Sequence, residues 1–325
     1  MQTELLFPGV DGAGCSIGAL GEGLLEIGLD PGLAAETLRR GFGGDAANAV
    51  VMAARMGADA RVITRVGDDA AGRMLLEFWR AQGIDLSGVS IDVSAPTGLY
   101  INERDESGRH RFSYHRTGSA ASLIAARDAR PEALAGLDVL HITGVSLSIS
   151  DTAAKAALVA ARRARAAGAR ISFVVNYRPQ LRPDRDRMVA FARTADIVFL
   201  SVEDARALLG VERIEDVAAA LAHPAELVMT RGPEPALLLA GAEQHMVVPP
   251  PVLAVDTAGA GDALAGAYLI ARCVGVPLRR ALAYGVAAGA LSCRGSGCAL
   301  SYPSAAEVSA AMSALDGAEP GEVLA

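Results

Sequence analysis

The chain has 325 residues, 51% of them hydrophobic, and a formal charge of -7. That length can bury one large core, and an acidic chain with no block of Lys or Arg lacks the electrostatic footprint of a nucleic-acid binder. Its single lysine, Lys155 in DTAAKAAL, excludes the Gly-Lys-Ser/Thr of a P-loop and leaves a Schiff-base enzyme only a residue on a solvated helix face.

The first stretch, MQTELLFPGVDGAG, lacks the charged-then-apolar layout of a signal peptide. No apolar run is long enough to span a bilayer. Residues 1–14 therefore read as a loose leader on a soluble, cytoplasmic protein that engages neither membrane nor nucleic acid. Strand-like runs follow at CSIGAL, ARVITRV (Ala60 to Val66), DVLHIT (Asp138 to Thr143), RISFVVN (Arg170 to Asn176), DIVFLS (Asp196 to Ser201) and AELVMT (Ala225 to Thr230). Between them lie the helical patterns AANAVVMAARMG, AGRMLLEFWRAQG, DTAAKAALVAARRARAAG and VEDARALLG, several closing on glycine. Apolar strands interleaved with amphipathic helices imply an α/β fold, a doubly wound and mostly parallel sheet with helices on both faces. Ligands in such folds bind at the carboxyl ends of strands.

One region breaks the alternation. TGLYINERDESGRHRFSYHRTG, Thr97 to Gly118, reads as two strands around a polar turn, a hairpin that makes a small β lid. The period of two puts Phe112, Tyr114 and Arg116 on one face, where Tyr and Arg together can hold a polar anion. The expected organisation is a leader, one domain over residues 15–315 with a lid from about residues 30–42 and 96–117, and a tail over residues 316–325. The cysteines, Cys15, Cys273, Cys293 and Cys298, form no CxxC pair and have no histidines nearby, so they read as buried reduced thiols, neither a zinc site nor a disulfide framework. His115, His141 and Trp79 read as structural.

The stretch VDTAGAGDALAGAYL, Val255 to Leu269, places an acid directly behind a Gly/Ala turn that enters an apolar helix. Such a turn leaves backbone N–H groups aimed outward, an anion nest reinforced by the helix dipole. A nest of this kind suits phosphoryl transfer, where positioning and charge stabilisation do most of the work. Asp262 at its edge can accept the proton of an attacking hydroxyl. The dipole should keep it ionised near neutrality, acting by placement more than by a raised pKa.

This stretch resembles the DTxGAGDxFxxG signature of ribokinase-like carbohydrate kinases, the phosphofructokinase-B family. Upstream, GFGGDAANAVVMAARMGADARVITRVGDDAAGRMLLEFWRAQGID, Gly41 to Asp85, resembles the other signature of that family. The likeness covers residues 15–310. Within the family, TGLY, FSYHRTGSAAS and NYRPQL are similar to segments of the 2-keto-3-deoxygluconate kinase branch. A sugar acid carries a carboxylate, and Arg116 and Arg178 are candidates to grip it.

The resemblance implies a set of roles. Gly43, Gly44 and Asn48 would meet sugar hydroxyls, close backbone approach explaining the glycines. Tyr100, Tyr114, Arg116, Asn176 and Arg178 would surround the acid end. Asp262 would be the general base, with the amides of Gly259, Ala260 and Gly261 as the anion hole. Ser201, Thr230, Gly232, Gly261 and Tyr284 would lie along ATP, with Asp204 near Mg2+ and Asp256 and Thr257 at a monovalent cation such as K+. A homodimer through the lid is also implied.

Departures from the family pattern fall on the nucleotide side. An acid is missing ahead of Asn176, where the chain reads Val174, Val175, and Ser201 to Asp204 stands where N-x-x-E is usual. Pro235 replaces a common glycine, and Tyr284 stands near a usual Asn. Three rivals remain beside a sugar-acid kinase: a kinase of a neutral sugar or nucleoside, a catalytically silent sugar-binding relative, and an NAD-dependent enzyme using Gly41, Gly43 and Ala46 as a loose G-x-G-x-x-A. The last requires a buried strand before Gly41, whereas LAAETLRR reads as helical or irregular.

Overall fold

The computed structural model describes residue 7 and residues 14–29, 38–105 and 110–317. Most of the expected leader, the lid segment 30–37, the hairpin turn 106–109 and the tail beyond residue 317 lie outside the described residues.

In chain order the elements are β1 (Ser16–Leu20), β2 (Leu24–Leu29), β3 (Arg39–Gly43), α1 (Asp45–Arg55), β4 (Asp59–Gly67), α2 (Ala70–Ala81), β5 (Val89–Asp92), β6 (Leu99–Arg104) and β7 (His110–His115). They continue with α3 (Pro131–Leu134), β8 (Val139–Thr143), α4 (Asp151–Ala166), β9 (Arg170–Val174), α5 (Arg185–Ala192), β10 (Ile197–Ser201), α6 (Val202–Leu209), α7 (Ile214–Ala220) and β11 (Glu226–Arg231). The last are β12 (Glu234–Ala240), β13 (Glu243–Val247), α8 (Ala260–Cys273), α9 (Leu278–Ser292) and α10 (Ala305–Gly317).

Nine strands form the main sheet in the order β13-β12-β11-β10-β9-β8-β1-β4-β5. From β11 to β5 every pairing is parallel, and β12 and β13 add an antiparallel edge. Strand residues alternate between two cores: Val139, Ile197, Phe199 and Val228 face one cluster, and Leu140, Val198, Leu200 and Leu227 the other. A parallel sheet covered on both faces needs strands that are buried throughout, as β8 (VLHIT) is, all five residues buried, with His141 and Thr143 as its polar members. Helix α4 shows how the alanines work. Ala153, Ala156, Ala157, Ala160 and Ala164 repeat at helical spacing and are fully buried, so the backbone lies close on the sheet. Ser150 caps it, its hydroxyl accepting the Ala153 N–H at 3.0 Å.

The lid is a second sheet, β3-β2-β6-β7, in which β2 and β6 pair in parallel and the outer pairs are antiparallel. The hairpin β6–β7 matches the sequence reading. Strand β2 does not, because LLEIGL carries Glu26 at a fully buried position and so breaks the apolar alternation. Strand β3 corrects the reading of LAAETLRR: Arg39 and Arg40 are in a strand, but one of the lid, so no βαβ dinucleotide unit arises.

The thiols are also corrected. Cys15, just before β1, and Cys273, ending α8, form a disulfide across 258 residues, while Cys293 and Cys298 are free and buried. A separation that long leaves no local spacing to read. His141 is buried with Nδ1 2.9 Å from the Ser172 hydroxyl, and burial pushes its pKa down to about 4. Trp79 is buried in the core against Gly23, and Lys155 is exposed.

Candidate active site

The loop into α8 is fixed by shape. Gly259, the N-cap, has φ +79°, and a Cβ there would lie 2.6 Å from Cys298 Sγ and 2.7 Å from the Tyr302 hydroxyl. The Tyr302 hydroxyl donates to the Gly259 carbonyl at 2.8 Å. The bond from the Ala263 N–H to the Gly259 carbonyl (2.9 Å) begins the α-helical ladder, so the N–H groups of Gly261 and Asp262 precede it and point outward. The Ala260 amide is turned back to the Thr257 carbonyl at 3.3 Å. A Cβ at Gly261 would meet nothing within 4 Å, so open space lies beside the loop. Orphan donors, the helix dipole and free volume together make an anion cradle.

Beside it, Asn48 on α1 donates from Nδ2 to Asp262 Oδ2 at 2.8 Å and lies 3.4 Å from Cys298 Sγ. Burial raises the Asp262 pKa to about 7; the negative charge of Asp45 adds to this, and the Asn48 hydrogen bond and the Arg178 charge oppose it. The expectation was a carboxylate kept ionised near neutrality by the dipole; burial instead raises its pKa. Asp45 went unread in the sequence. Its Oδ1 accepts the Ala46 N–H and its Oδ2 the Asn176 Nδ2, both at 2.8 Å. Asn176 adopts φ +39° just past β9, an uncommon backbone that turns its amide toward Asp45. An acid directly behind a glycine pair was the available signal.

On the lid side, Arg116 pairs with the buried Glu22 and stacks 4.1 Å over the Tyr114 ring. Burial raises the Glu22 pKa to about 7, with Arg116 pulling it down and Asp45 pushing it up. Tyr100 is buried, and its hydroxyl donates to Glu26 at 2.7 Å. Glu26 also accepts from Arg39 at 2.9 Å and Asn102 at 3.1 Å. The glycines have a different cause from the one expected. A Cβ on Gly43 would lie 2.6 Å from the Tyr100 hydroxyl, and one on Gly44, with φ +107°, 2.2 Å from the Glu22 carbonyl. They make room for the protein itself at the joint of lid and sheet. Arg178 is exposed, donates to the Tyr177 carbonyl at 3.2 Å, and its charge reaches Asp262 and Tyr114.

The nucleotide-side candidates are more dispersed. Ser201 and Thr230 are register partners at the carboxyl ends of β10 and β11, and Gly232 forms the following turn with φ +62°. Ser201 and Asp204 close a capping box on α6, and Asp204 accepts N–H bonds from Tyr177 at 2.9 Å and Ser201 at 3.2 Å. Those bonds give Asp204 a structural role as a cap. Tyr284 is buried in the core with its ring edge-on to Phe7, 4.9 Å away. Among the described residues the grouping tight enough for a metal is Cys15, Asp138 and Cys273, whose thiols are joined. Asp256 is buried and accepts the Ala258 N–H at 2.8 Å and the Gly297 N–H at 3.0 Å, with His110 Nε2 at 3.3 Å, and Thr257 is exposed. A carboxylate ringed by donors and an imidazole does not fit a monovalent-cation ligand.

Comparison with known proteins agrees with this architecture. The model of the pfkB family carbohydrate kinases matches residues 25–305. A 2-dehydro-3-deoxygluconokinase of Thermoproteus tenax is 34% identical over 310 residues, covering 90% of this chain and 93% of its own. Fructokinase-1 of Oryza sativa subsp. japonica is 32% identical over 281 residues, 82% of this chain and 86% of its own. An Escherichia coli protein described as a ribokinase II, solved with ATP and Mg2+, superposes with a TM-score of 0.84 at 26% identity, over 92% of this chain and 99% of that one. The class is a ribokinase-like α/β kinase. The chain belongs to the pfkB family of carbohydrate kinases.

Proposed function

We propose that this enzyme transfers the γ-phosphate of ATP to the terminal hydroxyl of a small sugar acid, 2-keto-3-deoxygluconate (2-dehydro-3-deoxygluconate). The observation that carries the reading is the Asp262 carboxyl, tuned to about 7 and held by Asn48 beside the outward amides of α8. The 2-dehydro-3-deoxygluconokinase relative supports the acid, and the E. coli neighbour bound to ATP and Mg2+ supports the donor.

In this mechanism Asp262 takes the hydroxyl proton as the sugar oxygen bonds to phosphorus and the bond to ADP breaks. The amides of Gly261 and Asp262 stabilise the charge that gathers on the transferring oxygens, joined by Gly259 at the turn. Asp45 and Asn176 hold the sugar end near Asn48, with Gly43 and Gly44 keeping the lid joint narrow. Tyr114 and Arg116 face it from the lid, and Tyr100 props them from behind. Of the two candidate arginines Arg178 is the exposed one and has spent a donor only on the neighbouring Tyr177 carbonyl, so the substrate carboxylate falls to it. Ser201, Thr230 and Gly232 line the nucleotide. Magnesium neutralises the triphosphate and keeps mostly water ligands; no described side chain is assigned to it.

The exposed Phe112 and Tyr114 on the small sheet support a homodimer through the lid. Among the described residues no helix is long and apolar enough to cross a membrane. A cytoplasmic location matches the supply of ATP, although the Cys15–Cys273 disulfide is uncommon there.

A neutral-sugar kinase is favoured by one observation: Arg116 already has an acid, Glu22. A coupled ADP assay over 2-keto-3-deoxy acids, hexoses and nucleosides decides between them. Turnover highest on the acids, and lost selectively in Arg178→Ala, is the expected result. Equal turnover of hexoses by parent and variant removes the carboxylate assignment, and absence of ADP release with every sugar leaves the silent relative.

A further inference from the structure

The tip of the lid hairpin carries two side chains that the reading above leaves without a role. Arg104 ends β6, His110 begins β7, and the two stand opposite each other in the ladder. Both reach away from the lid to the segment that feeds the anion nest. Arg104 donates from Nη1 to the Val255 carbonyl at 3.1 Å and from Nη2 to the Ser296 hydroxyl at 3.3 Å. His110 Nε2 lies 3.3 Å from Asp256 Oδ1, and its Nδ1 lies 2.8 Å from Asn102 Oδ1. The Asn102 amide donates to Glu26 at 3.1 Å, so its oxygen is the atom turned to His110. His110 thus bridges Asn102 of the lid and Asp256 of the segment before the nest. Asp256 then passes this restraint on, through the N–H groups of Ala258 and Gly297, to the two loops that flank Gly259.

We propose that Arg104 and His110 are positioning residues for the anion nest. From the lid Arg104 supplies the positive charge that would otherwise come from a bound monovalent cation, and His110 holds Asp256 in place, so turnover needs no such ion and the nest is set only while the hairpin is docked. Three points carry this. The Val255 carbonyl and the Asp256 carboxylate lie immediately before the nest. Asp256 is almost fully buried, where an unpartnered negative charge is costly. The arginine charge is permanent.

The proposal rests on the kinase reading, and its test separates the two. Parent, Arg104→Met, His110→Leu and Arg104→Lys are compared in KCl and in tetramethylammonium chloride at one ionic strength, by ADP release and by melting temperature. The parent should give the same kcat and melting temperature in both salts. Arg104→Met and His110→Leu should each lose roughly ten- to hundredfold in kcat, the scale for a slightly misplaced reacting group, with the sugar KM changed less than about twofold. KCl, but not tetramethylammonium, should restore part of that kcat and raise the melting temperature of these two variants, and Arg104→Lys should stay near the parent. A parent that requires K+, variants that keep the parent kcat, or variants whose kcat and melting temperature are the same in the two salts overturn the proposal. If no sugar elicits ADP release from the parent, the kinase reading fails, and the melting comparison still decides whether K+ replaces the lid contacts.

Discussion

The two sides of the cleft are built by opposite means. On the lid side, Glu22, Glu26, Asp45 and Asn48 are buried and tied to Arg116, Tyr100, Asn176 and Asp262 by side-chain bonds within the lid and among the helices and loops beside it. On the side proposed for the nucleotide the parts are mainly backbone: a helix start at Gly259, a turn at Gly232 and a capped strand end at Ser201. Side-chain networks in low dielectric are demanding, since each member left alone is costly. Backbone amides read only charge and shape, and tolerate changes in neighbouring side chains. That contrast accounts for the altered nucleotide motifs beside an intact Asp262, and it predicts unequal responses to mutation.

The largest effect belongs to Asp262→Asn. Losing a positioned base should lower kcat by about 10²- to 10⁴-fold, while melting is unchanged or raised, because a carboxyl destabilised by burial is replaced by a neutral amide. Parent kcat/KM should fall as pH drops below about 7, since the protonated Asp262 cannot accept the sugar proton. Asn48→Ala removes a donor to the ionised form and should move this limb to higher pH; Asp45→Asn removes a negative neighbour and should move it lower. A limb that stays in place in both variants assigns the titration to another group.

Next come the two arginines, which separate structure from recognition. Arg116→Ala strands Glu22 inside the joint and should cost on the order of 3 kcal/mol, read by denaturant melting. Arg178→Ala leaves no buried partner behind and should not change melting. It should instead lower kcat/KM for sugar acids by roughly ten- to hundredfold, the worth of a charge-assisted hydrogen bond, and spare neutral sugars. The reverse pattern would place the substrate carboxylate at Arg116.

How much of this was legible in the sequence follows the same division. Strands β1, β4, β8, β9, β10 and β11 were visible because each carries a short, mainly apolar run between helical patterns, and the hairpin β6–β7 because a polar turn divides it. The Gly259–Asp262 turn was visible because small residues before an acid have few other uses. Strand β2 was hidden by Glu26, a charge at a core position that makes sense only once Arg39, Tyr100 and Asn102 converge on it. Glu22, Asp45 and His110 were missed for the same reason, since each depends on partners distant in the chain. The structural roles of Asp204, Tyr284 and Asp256 were not legible, because a cap, a core tyrosine and a loop anchor use the residue types that a nucleotide or cation site uses.

Gly232→Ala tests the tolerant side and should have the smallest effect. At φ +62° an alanine adopts left-handed backbone, but its Cβ meets nothing within 4 Å, so strain alone acts. That strain is about 1 kcal/mol, and a turn free to relax should keep the KM for ATP within about twofold of the parent. Gly259→Ala carries similar backbone strain but drives a methyl to 2.6 Å from Cys298 Sγ, so it should disable turnover where Gly232→Ala does not. Equal losses in the two variants would mean that the nucleotide turn is as tightly specified as the nest, and the contrast between the two sides would fail.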